Sequence, residues 1–279
     1  MLYSCTGEIH LTIVVSIFTV LLGLAFGSFL NVCISRLPRH ESIVRPLSRC
    51  PRCGAPIGAL DNVPILSWIL LRARCRHCRA PITWRYPAVE LATAALFLLS
   101  LLRFGLSPEG GRAVVLSFLL LGLAVMDAET LRLPDAFTLP GIALGVLFAF
   151  SKPVTAICYR LENAGLAILW ASVAAGLLLL IRWIYRLVRH REGLGLGDVK
   201  LIALIAAWLG PAPTLLTLIV GCVAAAIFGV VSVIFSRGSR KLGTARLPFG
   251  SFLCGAAIYT LFAGEPIIAW YLRFYGIRR

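Results

Sequence analysis

The chain has 279 residues, 59% of them hydrophobic and only 14% charged, with 27 lysines and arginines against 12 acids for a formal net charge of +15. That apolar share exceeds what a soluble globular domain needs, so the expected class is an all-α polytopic membrane protein. The positive charge reads as topology plus attraction to anionic headgroups, which makes membrane lipid an expected partner and excludes nucleic acid.

In chain order, Leu11 to Ser35 holds no charged residue over 25 positions, or about 37 Å of helix. It lacks a basic n-region and is too long for the apolar core of a signal peptide, so residues 1–35 form a retained first span. Residues 36–85 follow as a hydrophilic loop with ten arginines and two CxxC pairs, Cys50/Cys53 and Cys75/Cys78. Two such pairs put four thiolates at a spacing that suits a closed, structural Zn²⁺ site. Apolar stretches then run roughly over 86–102, 113–126, 136–151, 163–181, 199–209, 214–236 and 248–264, for about eight spans in all. Those at 113–126 and 199–209 are short by the usual criterion of about 20 residues. Gly210-Pro211 splits one uncharged run into two helices, because proline cannot continue a helix. Residues 86–279 are thus expected to form one transmembrane domain. Cys5, Cys33, Cys158, Cys222 and Cys254 show no ligand spacing, and the four in or beside apolar runs read as small hydrophobes. No internal repeat is evident.

Charge sets the expected orientation. With 36–85 inside, the later inside loops are 127–135, 182–200 and 237–246, and these regions hold 20 of the 27 basic residues, as the positive-inside rule requires. The N-terminus is then outside.

Two acids stand out because charge near a span is costly. Asp127 ends a span and Asp198 opens one, and the expected topology brings both to the cytoplasmic face. A carboxylate pair sharing one proton can activate water and protonate a carbonyl or leaving group, which suits amide hydrolysis without a covalent intermediate. Gly195 and Gly197, in Gly195-Leu-Gly197-Asp198, let a backbone approach an extended substrate closely. Lys200 and Glu90 are further candidates for substrate contact. The bland alternatives are that Asp198 caps the following helix and that Asp127 pairs with Arg132. Asp135 reads as a turn and cap. A transporter using the two acids as a relay, or a zinc-stapled scaffold without chemistry, are the competing classes.

These pieces resemble bacterial type IV prepilin peptidases, of the GxGD aspartic membrane protease class, along nearly the whole chain. The matching segments are Gly27-Ser-Phe-Leu-Asn31-Val, Arg36-Leu-Pro38, Ser48-Arg-Cys50-Pro-Arg-Cys53, Asp61-Asn-Val-Pro-Ile-Leu-Ser-Trp68, Cys75-Arg-His-Cys78, Arg85-Tyr-Pro-Ala-Val-Glu90, Asp127 with Leu133-Pro-Asp135, Gly195-Leu-Gly197-Asp198 and Pro248-Phe-Gly250. The resemblance implies a bifunctional enzyme of the bacterial inner membrane. It would cut the basic leader from type IV prepilins or pseudopilins on the cytoplasmic side, after glycine. It would then methylate the new N-terminal residue with S-adenosylmethionine. Asp127 and Asp198 match the family's catalytic pair, and Cys50, Cys53, Cys75 and Cys78 its zinc cysteines. Residues 36–85 match the region linked to methyltransfer. Two departures are visible. Ala73 stands where the family usually has a glycine associated with methyltransferase activity, and Ser251 stands where the family often has proline. A peptidase without methyltransfer is the nearest alternative.

Overall fold

The computed structural model describes residues 2–151, 157–190, 193–235 and 247–274, with side chains from Thr12 onward except at Ile157. The expected inside loop at 237–246 lies outside the described residues, as do Arg278 and Arg279. Among the described residues there are nine α-helices and no strand. They are α1 (Leu2–Arg36), α2 (Leu66–Leu70), α3 (Arg85–Phe104), α4 (Pro108–Thr130), α5 (Asp135–Phe150), α6 (Ile157–Arg189), α7 (Leu196–Leu209), α8 (Pro211–Phe235) and α9 (Phe249–Phe274).

All eight expected spans are helical. Six of these helices are long and apolar enough to cross a membrane: α1, α3, α4, α6, α8 and α9. Helices α5 and α7, with 16 and 14 residues, fall below that length. Among the described residues, six of the eight expected spans therefore meet the length and composition of a membrane-crossing helix. Large apolar side chains such as Leu215, Ile219, Val223, Ile227 and Ile234 stay exposed on α8, as a lipid-facing helix requires.

The chain clusters into two compact units, Met1–Phe118 and Leu119–Arg279. Within the first unit α3 packs closely against α1. The reason is a pair of small residues four apart. A Cβ added at Gly23 would lie 2.6 Å from the Cα of Ala94, and one at Gly27 would lie 2.6 Å from the Cα of Glu90. Such small-xxx-small stripes let two membrane helices touch backbone to backbone.

In the second unit α7 is the centre. Every residue from Leu201 to Trp208 is buried, and α7 packs against α5, α6, α8 and α9. A helix apolar all round has no solvent face to spare. It ends at Gly210 with φ +78, and Pro211 starts α8, the expected break. The Trp208 indole donates to the Gly141 carbonyl at 2.8 Å, tying α7 to α5.

Candidate active site and zinc centre

The aspartate site lies within the second unit. Asp127, near the end of α4, is 5% exposed. Its Oδ2 accepts the Ser251 backbone N–H at 2.7 Å and the Ser251 hydroxyl at 3.1 Å. The hydroxyl also lies 2.7 Å from the Ala124 carbonyl, so Ser251 stitches the start of α9 to the last turns of α4. Gly250 makes room for this approach: a Cβ there would sit 3.0 Å from the Asp127 carboxyl.

Asp198 lies in the first turn of α7, where Gly195 is the N-cap. Its carboxylate reaches back to the Gly195 backbone N–H, the return half of a capping box. The capping alternative is therefore met by position three of the helix rather than by the cap itself. Asp198 is half-buried and feels the charge of Asp127. The Leu133 side chain spans the two segments: a Cβ at Gly197 would lie 3.1 Å from it, and one at Gly250 also 3.1 Å. Cys254, fully buried on α9, feels the charge of both carboxylates.

The other candidates fall elsewhere. Lys200 forms an ion pair with Asp135 at 2.5 Å, linking α7 to the start of α5. Asp135 is the first residue of α5 and Pro134 holds the N-cap place, one residue earlier than the expected cap. Glu90 belongs to the first unit. It contacts the loop at a backbone group: its Oε2 accepts the Ile65 N–H at 2.7 Å.

In the first unit the four cysteine sulfurs lie within 4.8 Å of one another, and Cys50 Sγ is 3.8 Å from Cys78 Sγ. Four thiolates around Zn²⁺ with Zn–S near 2.3 Å stand about 3.8 Å apart, so these residues fit the ion. The two CxxC segments are one motif written twice. Cys50 N–H donates to Ala55 O and Gly54 N–H to Cys50 O, each at 2.9 Å, and Ile57 N–H to Ser48 O at 2.8 Å. Cys75 N–H to Ala80 O, Arg79 N–H to Cys75 O and Ile82 N–H to Ala73 O repeat the pattern at 2.8, 3.0 and 2.7 Å. The underlying text is Cys-x-x-Cys-x-Ala-Pro-Ile in both places. A short internal repeat is thus present where none was expected, because only two of its eight positions, the cysteines, carry side-chain chemistry. The backbone amides of Cys53 and Arg52 turn toward the Cys50 sulfur and lower its pKa to about 6. The amides of Cys78 and His77 lower that of Cys75 in the same way. A bidentate ion pair, Arg76 to Asp61, fastens the second knuckle to the preceding loop.

Residues 21–104 match the model of the bacterial peptidase A24 N-terminal domain, and residues 114–230 that of the type IV leader peptidase family. The chain belongs to the type IV leader peptidase family. Among its relatives is a protein of Burkholderia pseudomallei (strain 1026b), 36% identical over 278 residues, 89% of this chain and 85% of that one. Another, from Myxococcus xanthus (strain DK1622), is 40% identical over 237 residues, 84% of this chain and 69% of that one. A third, from Pseudomonas aeruginosa, is 33% identical over 285 residues, 93% of this chain and 94% of that one. All three bear the name prepilin leader peptidase/N-methyltransferase. No solved structure matches the chain. This leader peptidase is a helical, multi-pass membrane enzyme, as the sequence implied.

Ser251 is the site residue that sequence reasoning undervalued. In the sequence it stands only as a departure at the end of a motif, and its reach to Asp127 crosses 124 residues. The Pro248-Phe249-Gly250 start of α9 was the available signal, since a helix start presents free backbone N–H groups.

Proposed function

We propose that this leader peptidase removes the basic leader of type IV prepilins or pseudopilins, after a glycine, at the cytoplasmic face of the bacterial inner membrane. It then methylates the new N-terminal residue with S-adenosylmethionine. The peptidase half rests on one observation above all: a buried Asp127 held by two donors from Ser251, in electrostatic reach of Asp198. In this reading one carboxylate takes a proton from water as it attacks the scissile carbonyl. The other, protonated, donates to the carbonyl oxygen, and a proton then passes to the leaving amine. Gly195 and Gly197 leave room for the extended junction of the substrate. Lys200, held by Asp135, fixes the start of α7 rather than meeting substrate directly. The arginine-rich loop lies against anionic headgroups.

For the methyl donor, which supplies a methyl group on a sulfonium when bound, the first unit offers a fitting cavity of about 770 Å³. Trp68 and Tyr86 give it aromatic walls, Glu90 and Asn31 acceptors, and Arg36 and Arg39 cations for a carboxylate. Ala73 supports retention of the second activity. Its φ is +56, so alanine here takes the left-handed backbone that usually calls for glycine.

Mass spectrometry of a prepilin incubated with purified enzyme, with and without S-adenosylmethionine, tests both halves. The expected products have lost the leader and, with the donor, gained one methyl mass. Leader loss without the methyl would leave a peptidase only. No cleavage across several prepilins, with ion flux in proteoliposomes, would favour the transporter.

A further inference from the structure

We infer that the first-unit cavity holds a primary ammonium group between Asn31 and Glu90. Helix α1 lies so close to α3 at Gly27 that Asn31, one turn on, faces Tyr86. Its Nδ2 donates to the Tyr86 carbonyl at 3.0 Å, which fixes the amide the other way round: Oδ1 becomes the free acceptor. That oxygen has no partner among the described residues, although Asn31 is only 3% exposed. A buried acceptor left unpaired is costly.

Glu90, 7% exposed, lines the same cavity. No arginine pairs with it among the described residues, despite the arginines nearby. Its carboxylate is instead held by the Ile65 N–H, on Oε2, and by the Ser28 hydroxyl, and Ile65 carries φ +60 and ψ −50. That conformation is an outlier for a β-branched residue, and such strain clusters where a site is being pre-organised. A carboxylate and an orphan amide oxygen on two residues that line one cavity ask for a ligand with several N–H donors and a positive charge. An ammonium has three donors and no acceptor. A sulfonium has no N–H and cannot satisfy Asn31. The exposed arginines Arg39 and Arg52 on the same cavity suit an anionic group further out.

The identity of the ligand rests on the methyltransfer reading, which offers two sources of such an ammonium. One is the α-amine of the pilin N-terminus exposed by cleavage, and the other is the α-amino group of the methyl donor. The test uses full-length, zinc-loaded enzyme in detergent and equilibrium binding. The probes are a peptide starting with free phenylalanine, S-adenosylhomocysteine, and the N-acetylated form of each. Acetylation of one probe is expected to weaken its binding to the wild-type enzyme roughly tenfold or more, and that probe names the source. Asn31→Leu and Glu90→Gln should each shrink this discrimination, with retained zinc reporting that the loop is folded. Binding that ignores acetylation of both probes overturns the inference without needing any variant, and so does discrimination that survives both substitutions. Failure of the methyltransfer reading is seen separately, as wild-type enzyme that distinguishes the amines yet transfers no methyl to a prepilin.

Discussion

The cysteine centre and the aspartate site are built in opposite ways. The cysteines meet through hydrogen bonds that span a few residues each, so each knuckle shapes itself and Cys50 and Cys78 are only 28 residues apart. Asp127 and Asp198 come within electrostatic reach only across helices, and Asp127 is held by a contact that crosses 124 residues. A local site depends on its ion and its turns. A non-local one depends on helix packing, so damage to the two should separate.

The largest expected effect is at the carboxylates. Asp127→Asn or Asp198→Asn should lower leader cleavage by at least about 10³-fold, with membrane insertion and zinc content unchanged. Normal processing by either variant in a gel-shift assay would remove the catalytic pair and with it one side of the comparison. Next comes the metal. Cys50→Ser, Cys75→Ser or a strong chelator should unfold the loop, because structural zinc binding is folding free energy. Methyl transfer should fall well below cleavage, read by mass spectrometry on one prepilin. Cleavage lost first, with methyl transfer intact, would show that the two sites are not independent.

A smaller effect is expected at Ser251. Alanine removes the hydroxyl donor and keeps the N–H, whereas proline removes both donors and is tolerated in the first turn of a helix. Hydrogen bonds to charged groups are worth about 1.5–3 kcal/mol. Cleavage kcat should therefore fall roughly tenfold or more for Ser251→Pro, less for Ser251→Ala, with KM little changed. Threonine, which keeps both donors, should restore the rate. Equal kcat in all three would mean that Ser251 only joins α9 to α4.

These differences also explain what the sequence disclosed. Spacing alone marked the four cysteines, and apolar runs marked every long helix, because both are local. Asp127 and Asp198 could be singled out as charges at span ends, but their neighbours could not. Ser251 and Leu133 acquire their roles only from packing. The α1–α3 pairing was hidden in Gly23 and Gly27, since small residues leave no trace in a hydropathy pattern. Helix α7 was correctly placed but its full burial was hidden, because an all-buried helix and a lipid-facing one share the same composition.

The smallest effects lie inside the twin knuckles, and they test how far each is self-shaping. Both place a residue just after the second cysteine in the left-handed region: Gly54 with φ +70 and Arg79 with φ +58. Glycine takes that conformation freely, whereas a side chain costs about 1–2 kcal/mol. The loop carries the same cost at Arg72 and Ala73, which close α2 with Arg72 N–H to Ile69 O at 3.0 Å and Ala73 N–H to Trp68 O at 2.8 Å, a Schellman pair. Arg79→Gly and Ala73→Gly should therefore each slow zinc loss to a chelator, and Gly54→Ala should speed it. If the loop is governed by its own turns, the two stabilising changes should add, since they lie in different turns. They should also leave leader cleavage untouched. A gain in cleavage would mean that loop stability reaches the aspartates after all.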